Sequence, residues 1–512
     1  MARGTCRRFT RPSCGKLVWK SIATSDQLVL VSHATLTAAG LTALLGPDPT
    51  HGDGPAYRLL AARVRTLIGD GRVPSGARLP SERHLTEALG LSRTTVTRAY
   101  AVLRDSGYLT SRAGSGSIAR VPGDPLPTHG PLLSRPAGDD VLDLTYAALP
   151  AIPGVLEAYE RALHELPRHL AVPGYHPVGL PETRAAVARW FDGRGLATDP
   201  DQIVVTNGAN AALAAVAAAL TTPGQHAVLE TPTYPNAIHT LRAAGVRPIG
   251  VPLAGDDWDL TSIRRTLTRS RAVLGYSLPD FHNPTGALLD ESGREELAAV
   301  FDRTGAWLVV DETFADLALD GQEPVGPTAR HGAGRVISVG GTSKVFWGGL
   351  RVGWVRLPRD PALVDRVVRA RHNLDLGTPV LEQLVAAHLL DESDTLVPRR
   401  VKTLCEQRAA LASALRNRLP EWHFRSPSGG VNLWVTLPMA RSTALAAAAP
   451  NHGLRLAAGG RFAVDGGFES QLRLPYTLPP DRLIEAVERL ARTWTSTLEP
   501  GGPADPWPPL VA

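Results

Sequence analysis

Residues 339–354 concentrate groups that could do amine chemistry. This run holds Ser343, Lys344, Arg351 and two glycine pairs between two apolar stretches. Lys344 is one of only two lysines in residues 144–498, where arginines are abundant. A guanidinium stays protonated, whereas the ε-amine of a buried lysine can lose its proton and attack a carbonyl. The run therefore predicts a lysine nucleophile rather than a surface cation.

Further candidates each follow an apolar run of the length and composition of a strand. They offer a phosphate seat, an aromatic face, a side-chain amide and a carboxylate: Gly208 with Ala209, Tyr234, Asn283 and Asp311. A strand that runs through glycine into a helix presents free N–H groups to a phosphate. Singly, each candidate has an ordinary explanation as a turn, a cap or core packing. Together they predict one ligand site, because open α/β sheets bind ligands at the carboxyl ends of their strands.

In this order the residues resemble the class I/II aminotransferase family of fold type I pyridoxal 5′-phosphate (PLP) enzymes. The resemblance implies that Lys344 holds PLP as an internal aldimine. It implies that Asp311 keeps the pyridinium nitrogen protonated, which makes the ring an electron sink. Asn283 would donate to the phenolic oxygen of the ring, and Tyr234 would stack on the ring.

The resemblance also assigns residues to the anionic groups. Arg351, Ser343 and the amides of residues 208–209 would hold the cofactor phosphate by charge-assisted hydrogen bonds. Tyr175 matches a residue that reaches the phosphate of the neighbouring subunit. Arg473 matches the arginine that grips a substrate carboxylate.

Two positions depart from the family pattern. A tyrosine usually follows the aspartate by two or three residues, where this chain has Thr313 and Phe314. A hydroxyl residue often precedes the lysine by three, where this chain has Gly341. We expect the missing tyrosine donor to raise the pKa of the aldimine, because the phenolate loses a hydrogen bond. Both departures disfavour efficient transamination and leave cofactor binding intact.

The elements that must position these residues alternate between strands and helices. Apolar and β-branched runs predict strands at 202–206, 226–230, 271–277, 307–310, 335–339 and 352–356. Helical segments, including an alanine-rich one at 211–220, lie between them. This alternation predicts an α/β body with a mostly parallel sheet covered on both faces. Residues after Pro358 predict mainly helix, followed by a smaller unit of strands and helices.

Residues 55–121 predict a winged helix-turn-helix. A first helix ends at residues 69–71, Ser81 caps a second, and a tight turn leads to a third that Ser92 caps. The third helix, over residues 93–106, is predicted to bury Val96, Tyr100 and Leu103. A hairpin with a Gly-Ser-Gly turn follows it. Such a third helix enters the major groove of DNA with its N-terminal residues first.

The motifs of this segment resemble the GntR family of regulators. The matching runs are residues 79–83, 89–96, 107–109 and 114–116. The segment has eleven arginines, four acidic residues and no lysine, which suits phosphate contacts and guanine recognition. The family pattern, the outward positions of the third helix and the hairpin give these candidates for DNA contact: Arg83, Arg93, Thr94, Thr95, Arg98, Arg112, Gly114 and Gly116.

Charge and length support separate domains. Residues 1–121 carry seventeen Lys and Arg against seven Asp and Glu, whereas the rest carries 37 against 42. A basic front on an acidic body suggests a nucleic-acid-binding module on a carrier with another role. We predict a partly disordered extension to residue 53, the DNA-binding domain at 54–121, a proline-rich semi-rigid linker at 122–140, the PLP domain at 141–498 and a disordered tail at 499–512.

Composition excludes several classes of protein. The apolar runs are too short for a membrane span, and Leu28–Ser32 is too short for the core of a signal peptide. Cys6, Cys14 and Cys405 are too few and scattered for a disulfide framework or a metal site. We therefore expect a cytoplasmic protein without a metal.

The combination of domains resembles the MocR/GabR subfamily of transcriptional regulators. It implies a PLP-dependent homodimer that binds operator DNA and senses an amine, an amino acid or PLP. A ligand amine would displace Lys344, close the small domain and shift the DNA-binding heads. The alternative is a working aminotransferase with a DNA-tethering head. A scaffold that has lost its cofactor is disfavoured by the presence of Lys344, Asp311 and Asn283 together.

Overall fold

The computed structural model describes residues 35–52, 54–69, 73, 77–112, 116–120, 141–255, 257–332 and 334–498. Residues 1–34, the predicted linker and the predicted tail lie outside this description. Gly114 also lies outside it, as does the side chain of Arg112.

Helices and a hairpin enclose one apolar core at the amino-terminal side. The elements are α1 (Ala38–Leu45), α2 (Ala56–Gly69), α3 (Glu82–Leu89), α4 (Arg93–Asp105), β1 (Leu109–Arg112) and β2 (Gly116–Ala119). The hydroxyl of Ser81 accepts a hydrogen bond from His84 N, and that of Ser92 accepts one from Thr95 N. Both caps thus satisfy N–H groups that a helix start leaves free. The predicted winged helix-turn-helix is therefore present.

Two features of this domain refine the prediction. Helix α1 lies within the segment assigned to an extension, yet Leu41 and Leu45 are buried in the domain core. Thr97, near the N-terminal end of α4, is half-buried rather than outward-facing and donates to Glu82 Oε2 at 2.8 Å. The carboxylate of Glu82 at the start of α3 turns this hydroxyl inward.

The larger part of the chain begins with strand β3 (Leu142–Asp143) and helices α5 (Val155–Glu165) and α6 (Pro181–Gly193). A sheet of seven described strands follows: β4 (Ile203–Thr206), β5 (His226–Thr231), β6 (Arg247–Pro252), β7 (Leu274–Ser277), β8 (Trp307–Asp311), β9 (Val336–Gly341) and β10 (Gly353–Arg356). Their order across the sheet is β4-β10-β9-β8-β7-β5-β6. Only β10 runs antiparallel to its neighbours among these strands, so the predicted mostly parallel sheet is confirmed.

Helices cover both faces of the sheet, as predicted. They are α7 (Ala209–Leu220), α8 (Pro235–Ala243), α9 (Leu260–Ser270) and α10 (Glu291–Thr304). Val309 packs in the cluster of α7 and α8, whereas Leu308 and Val310 pack in the cluster of α9 and α10. Alternate residues of β8 are therefore buried on opposite faces.

The carboxy-terminal part is helical and then mixed, as predicted. Its helices are α11 (Pro361–His372), α12 (Val380–Asp391), α13 (Ser393–Arg418), α14 (Ser442–Ala448) and α15 (Pro480–Leu498). Its strands are β11 (His423–Phe424), β12 (Asn432–Thr436), β13 (Leu454–Arg455), β14 (Ala457–Ala458) and β15 (Gln471–Pro475). Strands β11, β12, β15 and β14 form an antiparallel sheet in that order, and β13 pairs with β3. None of the described helices is both long and apolar enough to cross a membrane.

Candidate functional site

The ends of β4, β9 and β10 meet closely beside the N-terminus of α7. The amide of Gly208, predicted to face a phosphate, is engaged within the chain, because Gly208 N donates to Thr206 O at 2.9 Å. Gly208 caps α7 with a φ of 90°, and a Cβ there would lie 2.7 Å from Arg351 Nη2. A Cβ on Gly353 would lie 2.6 Å from Ala209 N. Glycine is therefore required at both positions by close approach. Arg351 Nη2 donates to Asn207 O at 3.0 Å, which places its guanidinium beside the N-terminus of α7.

Lys344 lies between β9 and β10, where the sequence placed it. Its half-buried side chain donates from Nζ to Ala147 O at 2.6 Å, and Nζ is 5.8 Å from the centre of the Phe314 ring. Burial, reinforced by the charge of Arg473, lowers the pKa of Lys344 to about 8 against the opposing effect of Asp311. A substantial fraction of this amine is therefore unprotonated near neutral pH, as a nucleophile requires.

Asp311 is the last residue of β8 and is 6% exposed. The hydroxyl of Tyr276, on the adjacent strand β7, donates to its Oδ2 at 2.7 Å, and Thr313 N donates to its Oδ1 at 3.0 Å. Burial raises the pKa of Asp311, and the hydrogen bonds from Thr313 and Tyr276 act against that rise. A buried carboxylate with donors on both oxygens is suited to pair with a cation.

Tyr234 and Asn283 follow β5 and β7 as expected. Tyr234 precedes α8, and its hydroxyl accepts from Asn236 Nδ2 at 2.7 Å. Burial, followed by the charge of Asp311, raises the pKa of Tyr234 to about 12. Asn283 is buried, and its Oδ1 accepts from Asn432 Nδ2 at 3.3 Å. This bond uses the carbonyl end of the Asn283 amide and leaves its amino group available as a donor.

Arg473 lies on β15 and is 5% exposed. Its Nη2 donates to Thr145 O, and its guanidinium lies 5.3 Å from the centre of the Phe462 ring. Its Nε is buried with no hydrogen-bond partner among the described residues. Burial, with the charge of Arg461, lowers the pKa of Arg473 to about 10.

The predicted residues fall into a gathered group and one outlier. The charges of Arg473, Asp311 and Arg351 influence the pKa of Lys344. The same three charges influence the pKa of Tyr234, so these side chains share one site. Ser343 is half-buried beside Lys344. Tyr175 is 67% exposed, which is compatible with a contact to another subunit rather than to this site.

The two departures from the family pattern have local physical reasons. Phe314 is buried and turns an aromatic face toward Lys344 where a hydroxyl was expected. A Cβ on Gly341 would lie 3.2 Å from Val352 O and 3.5 Å from Ala209 N. The tight approach of β9 to the glycine seat therefore disfavours any side chain at residue 341.

These residues fit the cofactor that the sequence implies. The seat at Gly208 would be filled by a Cβ, and the buried Nε of Arg473 is a donor without a partner in the described chain. Lys344, Arg351 and Arg473 supply three cationic groups around one carboxylate, which favours an anionic ligand. Arg351 suits the phosphate of PLP, Lys344 suits its aldehyde carbon, and Asp311 suits its ring nitrogen.

The candidates for DNA contact lie on one end of α4 and its neighbours. Arg93, Thr94 and Arg98 are exposed on α4, and Thr95 is half-buried with its hydroxyl 2.8 Å from that of Ser92. Arg98 also lies 5.1 Å from the centre of the Tyr57 ring, which restricts its direction. Arg83 on α3 is exposed, with Nε 3.5 Å from Glu87 Oε1. Gly116 has a φ of 78°, so the start of β2 requires glycine.

Some groups of the site were not anticipated from the sequence. Tyr276 lies inside a strand, and the signal that could have revealed it is its place one strand from Asp311 in the parallel register. Glu230 is buried, and Leu278 N donates to its Oε1 at 2.6 Å; burial raises its pKa to about 7. The backbone carbonyls of residues 144–147 carry no sequence signal, because every residue has one.

Comparison with known proteins agrees with both parts of the chain. Residues 153–490 match the family model of aminotransferase class I and II, and residues 56–118 match that of bacterial regulatory proteins of the gntR family. The uncharacterized HTH-type transcriptional regulator YdfD of Bacillus subtilis is 26% identical, over 82% of this chain and 92% of that protein. The probable rhizopine catabolism regulatory protein MocR of Rhizobium meliloti is 29% identical, over 72% of this chain and 79% of its own length.

Enzymes are also similar to the larger part. The 2-aminoadipate transaminase of Thermus thermophilus is 32% identical, over 62% of this chain and 79% of the enzyme. The crystal structure of LysN, an alpha-aminoadipate aminotransferase from the same organism, has a TM-score of 0.64 and 29% identity, over 70% of this chain and 93% of that one. That structure holds N-(5′-phosphopyridoxyl)-L-leucine. The chain belongs to the aminotransferase class I and II family, and its amino-terminal domain belongs to the gntR family of bacterial regulatory proteins.

Proposed function

We propose that this chain is a PLP-dependent transcriptional regulator of the MocR type, which binds DNA and senses an amine, an amino acid or PLP at Lys344. One observation carries the proposal: a half-buried lysine, with its pKa lowered to about 8, shares a site with a buried carboxylate in the same chain that presents exposed arginines on a DNA-recognition helix. The match of this chain to regulators over most of their length supports the same assignment.

Each residue of the site has a proposed task toward PLP. PLP, when bound, supplies an aldehyde for an amine and a ring that accepts electrons. Lys344 Nζ is the amine that bonds the aldehyde carbon, and Asp311 holds a proton at the ring nitrogen. Asn283 donates to the phenolic oxygen, and Tyr234 packs on the ring. Arg351, Ser343 and the N–H group of Ala209 hold the phosphate, whereas the N–H group of Gly208 donates to Thr206 O.

Arg473 is the proposed group for the carboxylate of an amino-acid ligand. Its buried guanidinium has an Nε donor without a hydrogen-bond partner among the described residues. A buried cation without an anion is costly in free energy, which favours a carboxylate here. A ligand that carries both an amine and a carboxylate would therefore replace Lys344 at the PLP aldehyde and bind Arg473 through its carboxylate. An amine without a carboxylate would leave the Arg473 contacts in place.

The amino-terminal domain is proposed to read DNA through α4. Arg93 and Arg98 suit guanine or phosphate, and Thr94 and Thr95 lie at the helix N-terminus that enters the groove first. We propose a homodimer that binds paired half-sites, with the exposed Tyr175 directed to the phosphate of the neighbouring subunit. The domain bounds proposed above, at 54–121 and 141–498, keep these two functions on separate units.

A binding series tests the proposal. The affinity of the full-length protein for a duplex with the promoter of its own gene is measured by fluorescence anisotropy, with and without PLP and a panel of amines and amino acids. We expect PLP, or PLP with one ligand, to change that affinity. Unchanged affinity throughout the panel would refute the switch.

An active aminotransferase with a DNA-binding head is the second candidate, favoured by the 32% identity to 2-aminoadipate transaminase. Both candidates need PLP at Lys344, so cofactor binding does not separate them. Conversion of an amino acid to its keto acid over many turnovers supports the enzyme. A single half-reaction without turnover, together with a change in DNA affinity, supports the regulator.

A further inference from the structure

Residues 142–147 join the linker to the larger domain and run through the candidate site. We call them the connecting segment; they follow the predicted linker almost directly in the sequence. At their carboxyl end, Ala147 O accepts the hydrogen bond from Lys344 Nζ at 2.6 Å. The proposed cofactor lysine is therefore hydrogen-bonded to the backbone segment that leads to the DNA-binding domain.

Arg473 binds the same segment. Its Nη2 donates to Thr145 O and lies 3.4 Å from Leu144 O. Arg473 and Lys344 thus direct donors at three carbonyls within four residues. These are the two cations that the proposed function assigns to an amino-acid ligand.

The amino end of the segment is tied to the carboxy-terminal part of the domain. Leu142 N donates to Gly453 O, and Leu144 N donates to Arg455 O, both at 2.9 Å. Asp143 Oδ2 lies 3.5 Å from Arg455 Nη1, and Asp143 Oδ1 accepts from Thr145 N at 2.8 Å. The segment therefore spans from β13, through Arg473, to Lys344.

PLP at Lys344 would remove the donors to Ala147 O, and a ligand carboxylate at Arg473 would remove those to Thr145 O and Leu144 O. Lys344 Nζ, bonded to the aldehyde carbon with loss of one water, carries at most one proton in place of three. Arg473, paired with a carboxylate, turns donors from Thr145 O to the ligand. A carboxylate has only acceptor oxygens, so it offers the carbonyls nothing in exchange.

We propose that the connecting segment is the element that reports the occupancy of the site to the DNA-binding domain. The inference rests on the proposed function and specifies its route. Bonding at Lys344 releases Ala147 O, and a carboxylate at Arg473 releases Leu144 O and Thr145 O. The segment is then held only by its hydrogen bonds to β13 and no longer by Lys344 and Arg473. Its position therefore changes, and the linker that precedes it shifts. Because such coupling is reciprocal, DNA binding also alters ligand affinity.

Hydrogen–deuterium exchange of the full-length protein tests the release. Exchange is read at residues 145, 146 and 148, whose N–H groups lie in the same peptide units as Leu144 O, Thr145 O and Ala147 O, because release of a carbonyl frees its whole peptide unit to move. Three compounds separate the two effects. Pyridoxamine 5′-phosphate has neither an aldehyde nor a carboxylate, PLP has the aldehyde only, and N-(5′-phosphopyridoxyl)-L-leucine has the carboxylate only. We expect little change with the first, exchange roughly fivefold faster at residue 148 with PLP, and a similar rise at residues 145 and 146 with the third.

A matched pair of variants tests the coupling. Asp143→Ala removes the acceptor of Thr145 N and the partner of Arg455, whereas Asp143→Asn keeps an oxygen acceptor. We expect Asp143→Ala to exchange fast over residues 144–148 without any ligand. It should bind PLP as the wild type does and lose the effect of PLP, with or without an amino acid, on affinity for the promoter duplex. Asp143→Asn should keep that effect.

The outcomes separate this inference from the proposed function. PLP fixed to Lys344 by borohydride, with exchange unchanged over residues 144–148, overturns the inference and leaves the cofactor assignment standing. An Asp143→Ala variant that keeps the full response in DNA affinity also overturns it. Absence of PLP from Lys344 overturns both.

Discussion

The hydroxyl of Tyr276 donates to Oδ2 of Asp311 at 2.7 Å across two adjacent parallel strands. Both residues are buried, so this bond is made in a medium where an uncompensated carboxylate is costly. With the bond from Thr313 N to Oδ1, it opposes the rise that burial produces in the pKa of Asp311. Tyr276 therefore positions the proposed partner of the ring nitrogen and favours its charged form.

Tyr276→Phe should weaken PLP binding. The substitution removes one hydrogen bond to a charged group, worth about 1.5–3 kcal/mol, so the Kd for PLP should rise by roughly tenfold to a hundredfold. The pH dependence of cofactor absorbance should also shift, because Asp311 would be protonated over a wider range. Absorbance titration with PLP at several pH values measures both effects.

Tyr476→Phe is the matched control. Its hydroxyl is also buried and donates to Gly429 O at 3.0 Å, away from Asp311. It should lower stability without changing the PLP affinity. Equal losses of affinity in the two variants would show that Tyr276 acts only through general stability.

The rate at which PLP attaches should depend on pH with a midpoint near 8. Only the unprotonated amine is nucleophilic, and burial with the charge of Arg473 lowers the pKa of Lys344 to about 8. At pH 7 roughly a tenth of Lys344 is then reactive, several hundred times the fraction of an ordinary lysine. The initial rate should rise about tenfold per pH unit below the midpoint and level off above it.

Arg473→Leu supplies the comparison for this profile. Loss of the Arg473 charge should move the midpoint of the rate profile to higher pH, since that charge disfavours the ammonium form of Lys344. A wild-type rate that still rises steeply above pH 9.5 would contradict the assignment of a depressed pKa to Lys344.

Glu230→Gln should change how stability depends on pH. Burial raises the folded-state pKa of Glu230 to about 7 from 4.5, so its contribution is full below pH 4.5 and is lost as pH rises through 7. Glutamine does not titrate and can still accept from Leu278 N. The free energy of unfolding of the wild type should therefore fall relative to that of the variant, by about 3 kcal/mol between pH 4.5 and pH 8.

Denaturant unfolding at these two pH values measures that difference. His282 Nε2 lies 3.6 Å from Glu230 Oε1, but burial lowers the pKa of His282 to about 3, so its ring is neutral in the folded wild type at both pH values. A difference in stability that is constant with pH would show that Glu230 is not protonated when the fold forms.

Arg93→Ala should weaken binding to the promoter duplex. The loss should be about 1–3 kcal/mol, with relaxed specificity, if Arg93 contacts a guanine. Arg63→Ala is the control, because Arg63 is exposed on α2 and carries the same charge. Equal losses on promoter and random duplexes would instead mean a phosphate contact, with a salt slope reduced by about 0.9.

The fold was predictable where one physical signal dominates. Buried β-branched runs predicted β4, β5, β8, β9 and β10 within a few residues, because strands buried on both faces must be apolar. Strand β6 was missed, since Pro248, Gly250 and Pro252 break its pattern. Helix α1 was assigned to an extension rather than to the DNA-binding domain, because the burial of Leu41 and Leu45 depends on partners distant in sequence.

The site was predictable from side chains and not from the backbone. Lys344, Asp311 and Asn283 follow or end predicted strands, and their types and order resemble the aminotransferase pattern, which identified them. The acceptor role of Ala147 O depends on where the chain passes, which residue types do not determine. Tyr276 was not identified from the sequence, because a tyrosine within a buried strand is usually a packing residue of the hydrophobic core.

Borohydride reduction after incubation with PLP tests the central assignment most directly. Peptide mass spectrometry should then find the reduced phosphopyridoxyl group on the peptide that contains Lys344. Lys402, exposed on α13, serves as the internal comparison and should stay unmodified at stoichiometric PLP. Label distributed equally over the two lysines, or an unmodified Lys344, would contradict the account.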